Sequence, residues 1–185
     1  MLRPVLVMGL AISTCSQGSG ASSTPPSADA TEASGGDPSA PVLTAEGPPV
    51  EATVPLLGGS AVDLTELRGR VVLLELSASD RPLWQEAQGQ YRRLVETLGE
   101  DRLVVVTVAT DPDSDHLRQF WDRDKPPFVL GWDPQGALAL RLGVTVLPTV
   151  LVLDRQGRKL ARIDGKHEQF LRQVEQVVRA AVDQG

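Results

Sequence analysis

Two runs constrain this chain more than anything else in it: Val71-Val72-Leu73-Leu74-Glu75-Leu76 and Leu103–Ala109 are almost unbroken apolar sequence. Alternating apolar and polar residues would mark strands with one wet face. Continuous runs of strand length mark strands buried on both faces, as in the centre of an α/β sheet. Such a sheet needs helices on both sides, and the chain supplies them. Arg81–Leu98 has helical spacing, and its one proline, Pro82, suits a first turn. Ser114–Trp121 fits a helix with Ser114 as cap and Asp115 in the first turn. Gly136–Leu142 fits a short helix ended by Gly143. His167–Val182 is amphipathic, with Phe170, Leu171, Val174, Val177, Val178 and Ala181 along one face.

The remaining segments complete the sheet. Phe128-Val129-Leu130 reads as a short strand, and Thr149–Leu153 and Lys159–Ile163 flank the turn Asp154-Arg155-Gln156-Gly157 as an antiparallel hairpin. Upstream, Val50–Val54 reads as a strand, Gly58-Gly59 as a turn, and Asp63–Gly69 as one helical turn closed by glycine. The order β-α-β-α-β-α-β-β-α predicts one mixed sheet with helices on both faces. The chain has 185 residues, enough for one domain with attachments. Aromatic residues are only 4% of it, so the core must be built mainly from Val, Leu and Ala.

The N-terminus reads as an address. Residues 1–14 have Arg3 as a positive n-region and an apolar run, Pro4–Ile12, too short to span a bilayer. The run ends in Ile12-Ser13-Thr14-Cys15, similar to a bacterial lipobox, in which the cysteine sulfur receives a diacylglyceryl group. An ordinary secretory signal with an incidental cysteine is the other reading of these letters. From Ser16 to about Pro48 the chain is rich in Ser, Gly, Ala, Thr and Pro and poor in large apolar residues, so it cannot offset its ordering entropy by burial. The expected organisation is therefore a signal peptide over 1–14, a lipidated Cys15 with a disordered tether over 15–48, and one domain over 49–185. The tether's root-mean-square reach is about 30 Å. This predicts an extracytoplasmic protein held to a bacterial membrane by lipid.

Net charge is −6 and no stretch is dense in Lys or Arg, which disfavours nucleic-acid partners. Cys15 is the only cysteine, so neither an intramolecular disulfide nor a Cys-rich zinc site can form. His116 and His167 stand near helix starts and are expected to face solvent. The acidic run Asp111-Pro112-Asp113-Ser114-Asp115 lacks the glycine and the terminal glutamate of a calcium loop. No metal and no cofactor is expected.

Four segments carry a family likeness: Asp63–Leu73 before the first central strand, Ala78-Ser79 after it, Gly143–Thr149, and Leu153–Gly157. In this order and spacing the chain resembles the thioredoxin superfamily, most closely its membrane-anchored thiol–disulfide oxidoreductase and redoxin-like branch, over roughly residues 50–182. The resemblance implies a thioredoxin-like fold, a cis-proline at Pro148 and a substrate groove beside Val146, Leu147 and Pro148. It also implies a W-C-x-x-C segment after the first central strand. That segment here is Asp80-Arg81-Pro82-Leu83-Trp84, with Arg81 and Trp84 at the two cysteine positions. Neither guanidinium nor indole can perform thiol exchange.

The resemblance also implies a buried acid at Glu75, which in working relatives accepts a proton from the resolving cysteine. Without that thiol, Glu75 either keeps a role of its own or sits at a partly solvated strand end paired with an arginine such as Arg81. Arg81 either serves a bound anion or points into water. Trp84 either fills the volume left by the motif or, with Arg81, walls the groove. Trp121 and Trp132 read as packing residues. The function expected is a redox-inactive module that binds or assembles an envelope protein or peptide, with no catalytic residues. The alternatives are a thiol–disulfide oxidoreductase or redoxin-type enzyme of the envelope, or a copper-handling protein, which would need a cysteine pair.

Overall fold

A computed structural model describes residues 41–165 and 168–185. The expected signal peptide, Cys15, the tether up to residue 40, and His167 lie outside the described residues. Strand β1 (Thr53–Pro55) and strand β2 (Ala61–Asp63) form a small antiparallel hairpin around Gly58-Gly59. A 3-10 turn over Leu64–Leu67 follows, opened by a capping box. The Asp63 carboxylate accepts from the Thr65 N–H at 2.8 Å, and Glu66 reaches back to the Asp63 N–H at 3.4 Å.

The main sheet then forms from β3 (Val71–Ser77), β4 (Leu103–Ala109), β5 (Val129–Trp132), β6 (Thr149–Leu153) and β7 (Lys159–Asp164). Its order is β5-β4-β3-β6-β7, with β3–β4 and β4–β5 parallel and β3–β6 and β6–β7 antiparallel. Every residue of β3, β4 and β6 is buried, as the continuous apolar runs require. Helices α1 (Pro82–Leu98), α2 (Asp115–Asp124), α3 (Ala137–Arg141) and α4 (Phe170–Gln184) complete the domain.

Two cores follow from the pleat. Val71 and Leu73 point to one face, where Tyr91 and Leu94 of α1 and Phe170, Val174 and Val178 of α4 cover them. Val72, Leu74 and Leu76 point to the other, against Val54, Leu64, Leu67 and Leu138. This is the thioredoxin-like arrangement, a mixed sheet flanked on both faces and closed by a hairpin and a helix. At the β5 edge, Leu56 bridges Gly131, and a Cβ on Gly131 would lie 2.8 Å from Val54 Cγ1. Glycine is what lets the hairpin lie so close.

Several local expectations shift. The first strand begins at Thr53 rather than Val50, because Val50 instead donates its N–H to the Gly157 carbonyl at 2.8 Å. Strand β2 carries no apolar run and went unmarked in the sequence. Ser114 does not cap α2: its backbone is already helical, and the Asp113 carboxylate takes the Asp115 N–H at 2.9 Å instead. The final helix starts at Phe170. Ordered contacts also begin before Pro48. Leu43 packs on the core, and Glu46 pairs with Lys159 by a backbone bond at 2.8 Å and an ion pair at 3.3 Å. Composition does not foretell this, because one apolar side chain and one backbone bond suffice for it.

Candidate functional site

The β3–α1 loop is where the family's thiols would stand, and the two substituted positions part company there. Arg81 is the residue before the first turn of α1, in extended conformation, and makes no side-chain cap. Its side chain is exposed, with Nε 3.6 Å from the Asp80 carboxylate. Trp84 lies one turn inside the helix and is 1% exposed. Its ring meets Phe120 of α2 edge-on at 4.8 Å and His116 at 6.2 Å. The reading of Trp84 as packing holds, and its place on the groove wall does not, because the helix turns the indole toward α2.

The loop itself is stapled to α2. Ser79 donates its N–H to the Asp111 carboxylate at 2.9 Å, and its hydroxyl lies 3.2 Å from His116 Nδ1. His116 is exposed, as expected, yet holds this contact. Trp132 donates its indole N–H to the Asp111 carbonyl at 2.8 Å and packs beside Leu117, whereas Trp121 is 36% exposed and is not a core residue.

The peptide bond Leu147–Pro148 is cis. Beside it lies a largely apolar groove of about 480 Å³, lined by Ala78, Arg81, Leu83, Leu147, Pro148 and Gly165 among others. Leu147 is 43% exposed, and its backbone N–H and C=O have no partner among the described residues. Val146 is not among the residues lining the groove, and its carbonyl accepts from the Thr149 hydroxyl at 2.7 Å. Of the residues expected at this site, Arg81, Leu147 and Pro148 come together. Val146 and Trp84 are held elsewhere.

Glu75 corrects the expectation of a solvated or arginine-paired carboxylate. It is 1% exposed in the middle of β3 and meets only neutral donors. Gln88 Nε2 and Thr107 Oγ1 both donate to Oε2 at 3.2 Å, and the Tyr91 hydroxyl donates to Oε1 at 3.4 Å. Arg81 is not among its partners and lies exposed beside Asp80. Burial pushes the Glu75 carboxyl up to about 7, against the pull of the three donors. Burial, then the nearby Glu75, push the Tyr91 hydroxyl well above its ordinary value. A signal for this cluster was available. Glu75 and Thr107 are each the fifth residue of the two central strands, and β3 and β4 run in register with Val71 opposite Leu103.

Among the described residues, no three of His, Cys, Asp and Glu gather as a metal site, and no helix is long and apolar enough to cross a membrane. The Redoxin family profile matches residues 38–177 of the chain. No curated protein matches it significantly. Solved structures share its architecture. A thiol:disulfide interchange protein DsbE of Chlorobium tepidum is 24% identical with a TM-score of 0.62, over 76% of this chain and 99% of that one. The exposed lipoprotein thioredoxin Etrx1 of Streptococcus pneumoniae is 18% identical with a TM-score of 0.58, over 74% of this chain and all of that one (100%). Peroxidoxin BcpB of Mycobacterium tuberculosis is 20% identical with a TM-score of 0.62, over 75% and 98%. At these identities the likeness shows the fold.

Proposed function

This chain belongs to the Redoxin family, and on that premise we propose that it is a redox-inactive member that binds an extended peptide segment of an envelope protein. The observation that carries this reading is the separation at the former redox motif. Both thiol positions are taken, by an exposed Arg81 and a buried Trp84, while the groove beside cis Leu147–Pro148 stays open. Thiol exchange needs a thiolate at the helix start and a second thiol to resolve the mixed disulfide. No cysteine lies between Ser16 and Gly185 to fill either part.

The groove keeps what binding needs. Leu147 offers one N–H and one C=O to an incoming strand, and Leu83, Leu147 and Pro148 give an apolar wall for its side chain. The reading extends to location: Cys15 carries lipid, and the chain after it holds the domain outside the cytoplasm on a membrane. The Streptococcus pneumoniae structure, named as an exposed lipoprotein, supports this setting by analogy only.

Two measurements test the proposal. Insulin reduction with dithiothreitol should stay at the buffer blank; turnover above it would establish the oxidoreductase alternative. A displayed library of random peptides should yield binders that wild type captures and Leu147→Asp does not. Binders lost equally with an exposed substitution far from the groove, such as Glu96→Lys, would place recognition elsewhere.

A further inference from the structure

One end of the groove beside Pro148 is built by the passage from β3 into α1, where Ser77, Arg81 and Leu83 all line it. Each of the three presents a free donor. Ser77 is the last residue of β3 and is 1% exposed, yet its hydroxyl has no partner among the described residues. Along β3 it follows Leu73 and Glu75 to the face that α1 covers, the side on which the groove opens. It is not one of the orphaned atoms sealed from solvent, so an occupant of the groove can reach it. Buried polar groups are almost always hydrogen-bonded, and this one is satisfied only from the groove.

The start of α1 is the second observation. The helix begins without a side-chain cap and without an acidic residue in its first turn. Pro82 has no N–H, and the Leu83 N–H behind it has no partner among the described residues. The positive end of a helix favours an anion there. Arg81 is the third. A guanidinium beside a helix N-terminus is repelled by it, and an anion between the two relieves the repulsion. Its side chain makes no hydrogen bond among the described residues. The carboxylate beside it, Asp80, stands 3.6 Å from Nε, and with both side chains largely exposed the pair is weak.

We infer that the groove selects peptides carrying an acidic side chain, Asp or Glu, whose carboxylate faces the Ser77 hydroxyl, the Leu83 N–H and the Arg81 guanidinium. The inference rests on the peptide-binding reading above and adds the chemistry of the peptide. An ionised carboxylate only accepts, at two oxygens with several lone pairs, which matches a set of donors. The acid belongs to a residue within the peptide, not to its chain end. Leu147 presents both an N–H and a C=O, which an internal residue meets with its own C=O and N–H while its side-chain carboxylate stays free for the helix start. A terminal carboxylate would be taken up by the Leu147 N–H.

The test is selection on the full chain from two displayed libraries of random peptides, one complete and one without Asp and Glu, followed by titration of a synthetic binder. Binders should come from the complete library and carry an acidic residue. Exchanging that residue for its amide should weaken binding about tenfold, the loss of charge-assisted hydrogen bonding. Arg81→Gln and Ser77→Ala should each weaken the acidic peptide and leave the amide peptide unchanged. An unaltered thermal midpoint in Ser77→Ala separates a lost contact from a lost fold, and the exchange in the peptide probes the same contact with the protein untouched. Amidating the peptide's C-terminus should change nothing; loss of binding there overturns the side-chain assignment. Acid and amide peptides that bind alike and are both lost with Leu147→Asp overturn this inference and leave the peptide reading standing. No binders from either library overturns both.

Discussion

Replacing Glu75 by Gln should stabilise the domain above neutral pH and have little effect in mild acid. The carboxyl titrates at 4.5 in the unfolded chain and at about 7 in the fold. The fold therefore holds a proton across that interval that the unfolded chain has released. Its stability is highest below 4.5, falls as pH rises toward 7, and stays low above it. At about 1.4 kcal/mol per pH unit, the burden carried by the ionised form is on the order of 3 kcal/mol. Glutamine keeps an oxygen for Gln88 and Thr107 and presents an amide to the Tyr91 oxygen, at a cost of about 1 kcal/mol in less favourable hydrogen bonding. The net gain at about pH 8 is then about 2 kcal/mol, or roughly 5 °C in midpoint.

The assay is urea unfolding of parent and variant at about pH 5 and about pH 8, with the difference taken at each pH. Every other titrating group is common to both proteins and cancels. The variant should gain at the higher pH and match or fall slightly below the parent at the lower. Equal differences at the two values, or a loss at about pH 8, would refute the assignment of a buried, uncompensated carboxylate. Glu75→Leu supplies the contrast. It removes the acceptor of three donors and should destabilise by about 1–3 kcal/mol at the lower pH, where the carboxyl is neutral in the parent.

Three further outcomes are expected, two of them from the packing. Trp84→Ala should cost about 3–5 kcal/mol, measured by denaturant unfolding, because the indole is fully buried between α1 and α2; a change under about 1 kcal/mol would contradict that burial. Gly165→Ala should destabilise by about 1–3 kcal/mol and abolish peptide capture, since its Cβ would overlap Pro148 Cγ and lie 2.8 Å from Pro148 Cδ; unchanged melting and capture would show the loop free to give way. Mass spectrometry of the membrane fraction should find Cys15 as the lipid-bearing first residue, and a soluble protein with a free thiol there would remove the anchor from the proposed function.

The sequence by itself determined the architecture, because burial on both faces and burial on one stripe leave different periodicities. Val71–Leu76, Leu103–Ala109 and the stripe from Phe170 to Ala181 all became the elements their patterns predict. It also determined that no cysteine stands where the family's thiols would be, since that depends only on which letters stand at positions 81 and 84. Tertiary structure decided everything that depends on distance across the fold. Arg81 and Trp84 are three residues apart, yet the extended backbone at one and the helical turn at the other leave the first in solvent and bury the second against α2. Glu75 meets Thr107 from the adjoining strand and Gln88 and Tyr91 from the helix above. Matching positions in the two apolar runs mark Thr107, but no local pattern brings Gln88 and Tyr91 to the carboxylate, because helix placement is set by the whole core. The same holds for Val146, which the family resemblance puts in the groove and whose carbonyl the Thr149 hydroxyl takes. Periodicity records how much of each face is buried. It does not record which polar atom stands opposite which, and at this site that choice sets the chemistry.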